Sequence, residues 1–526
     1  MAPLRRDGRI PLRKVLQVGA AKMPVSHTRR GLPFHSDDSE IQMKLDVLTQ
    51  EQIQKLHDAS ISILWKVGVH LPHPDVRARF REAGASVDEA SERVRIPAAL
   101  IQRCLGQAGK TFTIYGRDRS KQAAFGQGTR NYNSIAGEAL WIDDVNGERR
   151  YATLKDAATA ARLVDALPNL TIAGAMCDPH ELTPEYGGLA AAAELVRNTT
   201  KPIGLWFHNR TVSKFIVELM IAAAGSEEEA RRYPLSYPFL EPISPLRFPF
   251  DGVDALYETA KLNLPVPIGP MAQTGLSAPG TLAGTLAQEN AEILAGVCIT
   301  QIISPGLPVC YGGIPHAFDM RTTQLIFAGP EQALMAVAMT QMGKHYGLPV
   351  YINVGLTDSK VPDAQAGMEA GITLVCGAMA GADIFGHLGI SGVDQASSLD
   401  MLVMQHELIG YVERVMRGFE VSDETLGLDV IEAVGPGGSF MDQEHTALHF
   451  RKELWFPKLL DRQFYDAWMS GGAKTMAQRC REEKERLLAE HKPVPLPEDT
   501  EKAIEAVLSG ARKELEATGR GWRRGA

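Results

Sequence analysis

Residues 348–390 read LPVYINVGLTDSKVPDAQAGMEAGITLVCGAMAGADIFGHLGI: a strand, a loop, a helix and a second strand. Asp363 or Pro362 opens the helix. Each strand ends in residues able to touch a ligand, Asn353 and Gly355 after the first, Gly386 and His387 after the second. The loop between carries Asp358, Ser359, Lys360 and Asp363. Folds built of parallel strands keep their chemistry on the loops that follow those strands.

The same unit recurs from Arg130 onward. Further β-prone runs are Asn131–Ile135, Thr171–Met176, Ile203–Phe207, Tyr237–Leu240, Val266–Ile268 and Val309–Tyr311, ahead of Val350–Val354 and Asp383–Phe385. Helices with recognisable starts separate them: Thr153 caps one, Pro184, Pro279 and Pro330 open others, and Ser398 opens the last. Alternating strands and helices predict a parallel sheet, and eight units predict closure. The expected fold class is α/β, a TIM-type (β/α)8 barrel with a helical N-terminal extension and a C-terminal helical tail. Expected boundaries are a flexible N-terminal arm at 1–45, a helical or mixed subdomain at 46–125, the barrel at 126–420 and a C-terminal helical segment at 421–526. In the subdomain, Thr49 and Gln52 form a capping-box pattern ahead of Ile53, Leu56, Ile63, Leu64 and Val67 on one helical face.

The chain of 526 residues is 44% hydrophobic and 22% charged, with a net charge of −8. That balance is globular, and the acidic sign argues against a nucleic-acid partner. The most apolar helical stretch, Leu282 to Ile303, contains Gln288, Glu289, Asn290 and Glu292, so it makes a poor membrane span. No apolar run follows the basic N-terminal residues, so no secretory signal is expected. Six cysteines lie far apart without a CxxC pair, which fits a reduced, cytoplasmic protein.

Strand ends collect aromatic residues among sparse polar ones. Trp206, Tyr237, Tyr311 and Phe385 are candidate substrate-binding rings, with His208, Asn353 and His387 as polar neighbours. Ring faces attract a cation that cannot hydrogen-bond, so such a mouth suits a quaternary ammonium; the same rings could also fill a barrel core. Glu241 lies in LEPISP at a rigid strand end. It reads either as a catalytic base with a raised pKa or as a partner of Arg247. Asp358 is the second catalytic candidate, with an ion pair to Lys360 as its plain reading. His208, His316, His387, Cys177 and Cys310 could share one mouth, but their spacing matches no metal motif, and no metal is expected. GxSxG, GxGxxG and P-loop patterns are absent from the sequence.

Three runs carry a resemblance: ENAEILAGVCITQIISPGLPVCYGG (289–313), DSKVPDAQAGMEAGITLVCGAMAGADI (358–384) and DETLGLDVIEAVGPGGSFMDQEHTALHFRKELWFPKLLDR (423–462). Together they resemble the trimethylamine methyltransferase family, over about Leu48 to Leu496. The resemblance implies a barrel that moves a methyl group from a methylated amine. The family's archaeal founders use pyrrolysine on trimethylamine; here ordinary residues such as Leu356 and Thr357 fill the loop near Asp358. Members without pyrrolysine are associated with quaternary amines such as glycine betaine. Their methyl group passes to a corrinoid protein or to tetrahydrofolate. A quaternary amine leaves as a neutral tertiary amine, so the protein must strip water, hold the cation and align one methyl. His208, His387 and Asn353 are then candidate donors to a betaine carboxylate, and Glu241 or Asp358 would serve a folate acceptor as base or orienter. The resemblance also implies a homo-oligomer. Alternatives are a uroporphyrinogen decarboxylase-like barrel, which would require arginine clusters at the mouth, and a betaine-binding protein without turnover.

Overall fold

The structure is a computed structural model that describes residues 43–143, 149–519 and 521–524. The arm expected at 1–45 therefore lies outside the described residues apart from its last three. Eight strands define the architecture: β1 Asn131–Ser134, β2 Ala173–Gly174, β3 Ile203–Gly204, β4 the extended segment 237–240, β5 Val266–Ile268, β6 Val309–Gly313, β7 Val350–Ile352 and β8 Ile384–Leu388. Each is followed by a helix on the outside: α1 Leu154–Ala166, α2 Pro184–Asn198, α3 Arg210–Ala224, α4 Phe250–Thr259, α5 Leu282–Ile303, α6 Pro330–His345, α7 Ala364–Ala380 and α8 Leu399–Met416.

The strands pair in parallel in the order β5–β6–β7–β8–β1, and β2 pairs with β3. A few backbone hydrogen bonds close each of the remaining gaps, and a single one does so between β3 and β4. Thr171 N–H donates to the Tyr132 carbonyl at 2.8 Å, Ile203 N–H to Leu235 at 3.0 Å and Leu240 N–H to Pro267 at 2.9 Å. All eight expected strands thus take part in a (β/α)8 ring. The pairing is thinnest at β4, where Pro234, Pro238 and Pro242 remove backbone donors.

Alternation along the strands separates an inner from an outer set. Ile172, Tyr237, Cys310, Tyr351 and Ile384 form one buried cluster inside the ring. Phe112, Ile114 and Phe125 join it from the antiparallel hairpin Phe112–Tyr115 and Gln122–Phe125. That hairpin stops the strand-start end. Tyr115 N–H donates to the Pro234 carbonyl at 2.8 Å, and Gly126 N–H to Asp383 Oδ1 at 2.7 Å. Asp383 Oδ2 also accepts from Lys344 Nζ at 2.5 Å and Val350 N–H at 2.8 Å, so one buried carboxylate ties α6, β7 and the hairpin together.

The polar residues of α5 anchor the opposite end. Glu289 accepts N–H bonds from Ala272 (2.9 Å) and Ile314 (3.0 Å). Glu292 accepts from Ser244 Oγ (2.6 Å) and Leu246 N–H (2.8 Å). The loops after β4, β5 and β6 therefore hang on two buried side chains of one helix. Asn290 receives the Tyr311 hydroxyl at 2.8 Å and donates to Ser60 Oγ at 2.8 Å, which docks the N-terminal helix Gln50–Lys66 on the barrel. The Thr49–Gln52 capping box forms as its pattern predicts. The extension, the barrel and the tail belong to one unit, 41–526.

Candidate active site at the barrel mouth

Four rings from four strand ends meet just above the interior cluster. Trp206 and Phe239 have centroids 6.1 Å apart, Phe239 and Tyr351 5.1 Å, Tyr351 and His387 5.8 Å, and His387 and Trp206 6.3 Å. The contacts form a closed circuit, and all four are edge-to-face, the arrangement aromatic quadrupoles prefer. Trp206 Nε1–H donates to the Gly137 carbonyl at 3.3 Å, which fixes the indole plane. Trp206 and Phe239 are half-buried, whereas Tyr351 is 1% exposed. Solvent reaches this pad of rings on its Trp206 and Phe239 side.

His387 reaches this pad through a backbone irregularity. A bulge interrupts the β8–β1 pairing between Phe385 and Leu388, and His387 has φ of +69°. Left-handed backbone costs a non-glycine residue roughly 1–3 kcal/mol and persists where the surroundings enforce it. Bulges re-aim side chains beside active sites. Gly386 makes the second concession: a Cβ there would sit 1.8 Å from the Tyr351 hydroxyl. Burial lowers the His387 pKa to about 4, so this member of the pad is neutral at physiological pH.

Acidic groups rise around one arc of the pad: Glu138 after β1, Asp178 after β2, Glu241 after β4 and Asp394 after β8. Glu241 and Asp178 retain solvent-facing surface yet are walled in by protein, as expected of groups lining an open cup. Burial and the neighbouring Asp394 push Glu241 up to about 7. Glu138 is raised by burial and then by Asp394, with Asp178 and Glu241 adding repulsion. Burial raises Asp178, and His208 and Arg524 hold it back. Asp394 follows Gly392 and Val393 in a turn where all three residues have positive φ. Crowded carboxylates that cannot all ionise comfortably gain from a cation placed among them.

The other arc is neutral. Asn353, two residues after Tyr351 on the inward phase of β7, is fully buried, and neither its Oδ1 nor its Nδ2 has a hydrogen-bond partner. His316, after β6, is buried against Phe327 at 4.7 Å; burial and His387 lower its pKa to about 3. An unpaired buried amide costs roughly 1–3 kcal/mol, which a ligand atom or water would recover.

The sequence candidates divide cleanly. Trp206, His387, Glu241 and Asn353 lie around the pad. Tyr237 lies below it in the interior, near Asn133 Nδ2 at 3.2 Å and packed on Phe125. His208 stands at the rim, 3.8 Å from Asp178. Tyr311 and Phe385 require correction as substrate-binding rings. Both occupy the outward phase of their strands, Tyr311 bonded to Asn290 of α5 and Phe385 packed on Tyr132 and beneath Gly377 of α7. Asp358 is also displaced from a catalytic position. Its Oδ1 accepts Phe327 N–H at 2.9 Å and so clamps the loop after β6. Lys360 donates to the Asp358 carbonyl, not to its carboxylate. Glu241 makes no ion pair with Arg247, whose backbone pairs with Ile243. Glu138 and Asp394 were not among the sequence candidates. Among the described residues no group of three or more His, Cys, Asp and Glu is arranged for a metal ion.

The C-terminus reaches this rim as well. Thr183 N–H donates to the Trp522 carbonyl at 3.2 Å and Arg524 N–H to Glu181 at 3.1 Å. Arg524 Nε donates to the Leu182 carbonyl at 3.1 Å. Residues 521–524 thereby brace the loop after β2, which carries Asp178.

Residues 31–516 match the family profile described as trimethylamine methyltransferase (MTTB). The chain is 30% identical over 474 residues to a glycine betaine methyltransferase of Desulfitobacterium hafniense (strain Y51), covering 90% of this chain and 98% of that protein. It is 31% identical over 497 residues to the trimethylamine methyltransferase MttB of Methanosarcina barkeri, covering 90% and 96%. Among solved structures, the Methanosarcina barkeri monomethylamine methyltransferase MtmB aligns over 91% of this chain and 90% of that chain, with a TM-score of 0.47 and 10% identity.

Proposed function

The chain belongs to the trimethylamine methyltransferase family, and from that premise we propose that this methyltransferase takes its methyl group from a small quaternary amine and passes it to a corrinoid carried by a partner protein. The observation that carries the donor reading is the ring circuit of Trp206, Phe239, Tyr351 and His387 beneath an arc of four carboxylates. Rings supply attraction without hydrogen bonds, which suits a nitrogen that has none to offer. The acids supply a steering field and a counter-charge. On the neutral arc, the Asn353 amide and the His316 ring offer donors to an oxygen on the amine's substituent, as in glycine betaine. The cation then lies toward Glu138, Asp178, Glu241 and Asp394, and the oxygen toward β6 and β7.

In this arrangement the pad holds the ammonium, the loops exclude water and one methyl faces the open side of the cup. Glu241 needs to transfer no proton, because the departing tertiary amine is neutral; its carboxylate balances charge. The bound acceptor supplies the nucleophile. The open carboxylate rim disfavours tetrahydrofolate, whose glutamyl tail is anionic. No arginine cluster faces the pad among the described residues, which removes the feature a porphyrinogen would require.

Parallel assays with cob(I)alamin and with tetrahydrofolate, across glycine betaine, other betaines and trimethylamine, test the reading. Demethylation of a quaternary amine in the corrinoid assay is expected. Turnover of trimethylamine alone refutes the donor assignment, transfer only to tetrahydrofolate refutes the acceptor, and binding without transfer to either supports a non-catalytic betaine binder.

A further inference from the structure

We propose that the preferred donor is a quaternary ammonium alcohol, of the choline kind, whose hydroxyl is held at Asn353, and not a betaine. The proposal rests on the reading that the pad holds a quaternary nitrogen, and it fixes the substituent which that reading leaves open.

The polar atoms of the neutral arc set the first condition. Asn353 is fully buried, and its side-chain oxygen and nitrogen both lack a partner. Gln332, in the first turn of α6, donates from Nε2 to the Asn353 carbonyl, which fixes the orientation of its amide. Gln332 Oε1 is then a second buried acceptor without a donor. Whichever way the Asn353 amide is turned, one of its two atoms is an acceptor as well. Two unpaired acceptors thus stand beside one unpaired donor. An acceptor is satisfied only by an N–H or O–H group, and a carboxylate brings neither. A hydroxyl brings both functions: its proton goes to an amide oxygen, and its lone pairs accept from a neutral N–H. Leaving the buried acceptor without a donor is the costlier alternative.

Charge sets the second condition. A carboxylate taken out of water needs a cation or several donors. Among the described residues, the loops after β6 and β7 carry one cation each. Arg321 is exposed and pairs with Asp319. Lys360 is exposed and bonds the Asp358 carbonyl. Burial lowers both His316 and His387, so the two rings are neutral at physiological pH. His208 and Arg524 lie by Asp178, on the acidic arc. A ligand of net positive charge gains from the field of Glu138, Asp178, Glu241 and Asp394. A betaine is neutral overall, and its carboxylate meets acids on one arc and neutral groups on the other.

Isothermal titration of the full-length protein with choline, its methyl ether, glycine betaine and tetramethylammonium tests the proposal. Choline is expected to bind most tightly, about ten-fold or more ahead of both the ether and glycine betaine, which is the worth of one buried hydrogen bond. Glycine betaine binding as tightly as choline overturns the proposal and leaves the quaternary-amine reading standing. Equal affinity for choline and its ether shows that the hydroxyl proton is unused, and overturns it too. Binding of none of the four overturns the quaternary-amine reading itself, and this proposal with it. In Asn353→Leu the preference for choline over tetramethylammonium is expected to shrink several-fold; a preference that persists in the folded variant refutes the place given to Asn353. The four-ligand comparison on the unaltered protein does not depend on that variant folding.

Discussion

Trp206 and Tyr311 are both large rings at strand ends, yet one meets the ring circuit at the mouth and the other bonds to Asn290 behind the barrel wall, and a paired substitution tests the tasks proposed from those places. Trp206→Ala removes one member of the ring circuit and its two edge-to-face contacts, to Phe239 and His387. A desolvated cation over an indole gains about 1–2 kcal/mol, so the dissociation constant of a quaternary amine should rise about 5- to 30-fold. Tyr311→Phe removes only a hydroxyl, whose bond to Asn290 Oδ1 lies behind the barrel wall. Leaving that buried amide oxygen short of a donor costs about 1–3 kcal/mol of folding stability and nothing at the mouth. Isothermal titration with glycine betaine and with tetramethylammonium, beside denaturant unfolding, reads both quantities. The expected pattern is a crossed one: weakened binding for Trp206→Ala, and lost stability with unchanged binding for Tyr311→Phe. Tyr311→Phe weakening the amine as much as Trp206→Ala does would refute the inner and outer assignment of β6, and with it the location of the site.

Four further outcomes follow from the same geometry. Glu241 ionises as pH rises through about 7, so kcat/KM for a cationic donor should climb across that range, and Glu241→Gln should flatten the climb; a limb unchanged in the variant assigns it to another group. The same shift has a stability counterpart: because the folded pKa lies above the ordinary carboxylate value, its contribution is present at acid pH and is lost as pH rises through about 7, so Glu241→Gln should reduce the loss of melting temperature between pH 5 and pH 8. Gly386→Ala places a methyl against the Tyr351 hydroxyl; displacing that ring should cost about 1–3 kcal/mol and weaken amine binding, whereas normal affinity at normal stability would show that Tyr351 is no part of the pad. Removal of residues 521–526 releases the brace on the loop after β2; KM for the amine should rise several-fold with a small change in melting temperature, and an unaltered KM would show that Asp178 holds its place without the tail.

The barrel was legible because its signal is repeated: eight β-prone runs, each followed by a capped helix, leave few other ways to bury both faces of a sheet. Its phase was not. Parallel barrel strands are apolar on both faces, so period-two alternation gives no sign of which residue looks inward. The pattern therefore offers Tyr311 and Phe385 as lining residues as readily as any, whereas Tyr351, one strand over from Tyr311, is the inward ring. His387 shows the opposite limit. It follows inward Gly386, so regular alternation would turn it outward, and only the bulge and its left-handed φ bring it to the pad. The carboxylates missed in the sequence, Glu138 and Asp394, lie in an insertion after β1 and in a glycine turn after β8, where no periodicity marks them. The polar residues of α5 were read only as unsuited to a membrane, though Glu289 and Glu292 hold three of the loops that shape the mouth. Those loops are irregular, and their form is set by partners distant in sequence. The proposed site therefore lies where local patterns are weakest, and a family resemblance added what patterning could not: the expectation that a methylated nitrogen is what the rings hold.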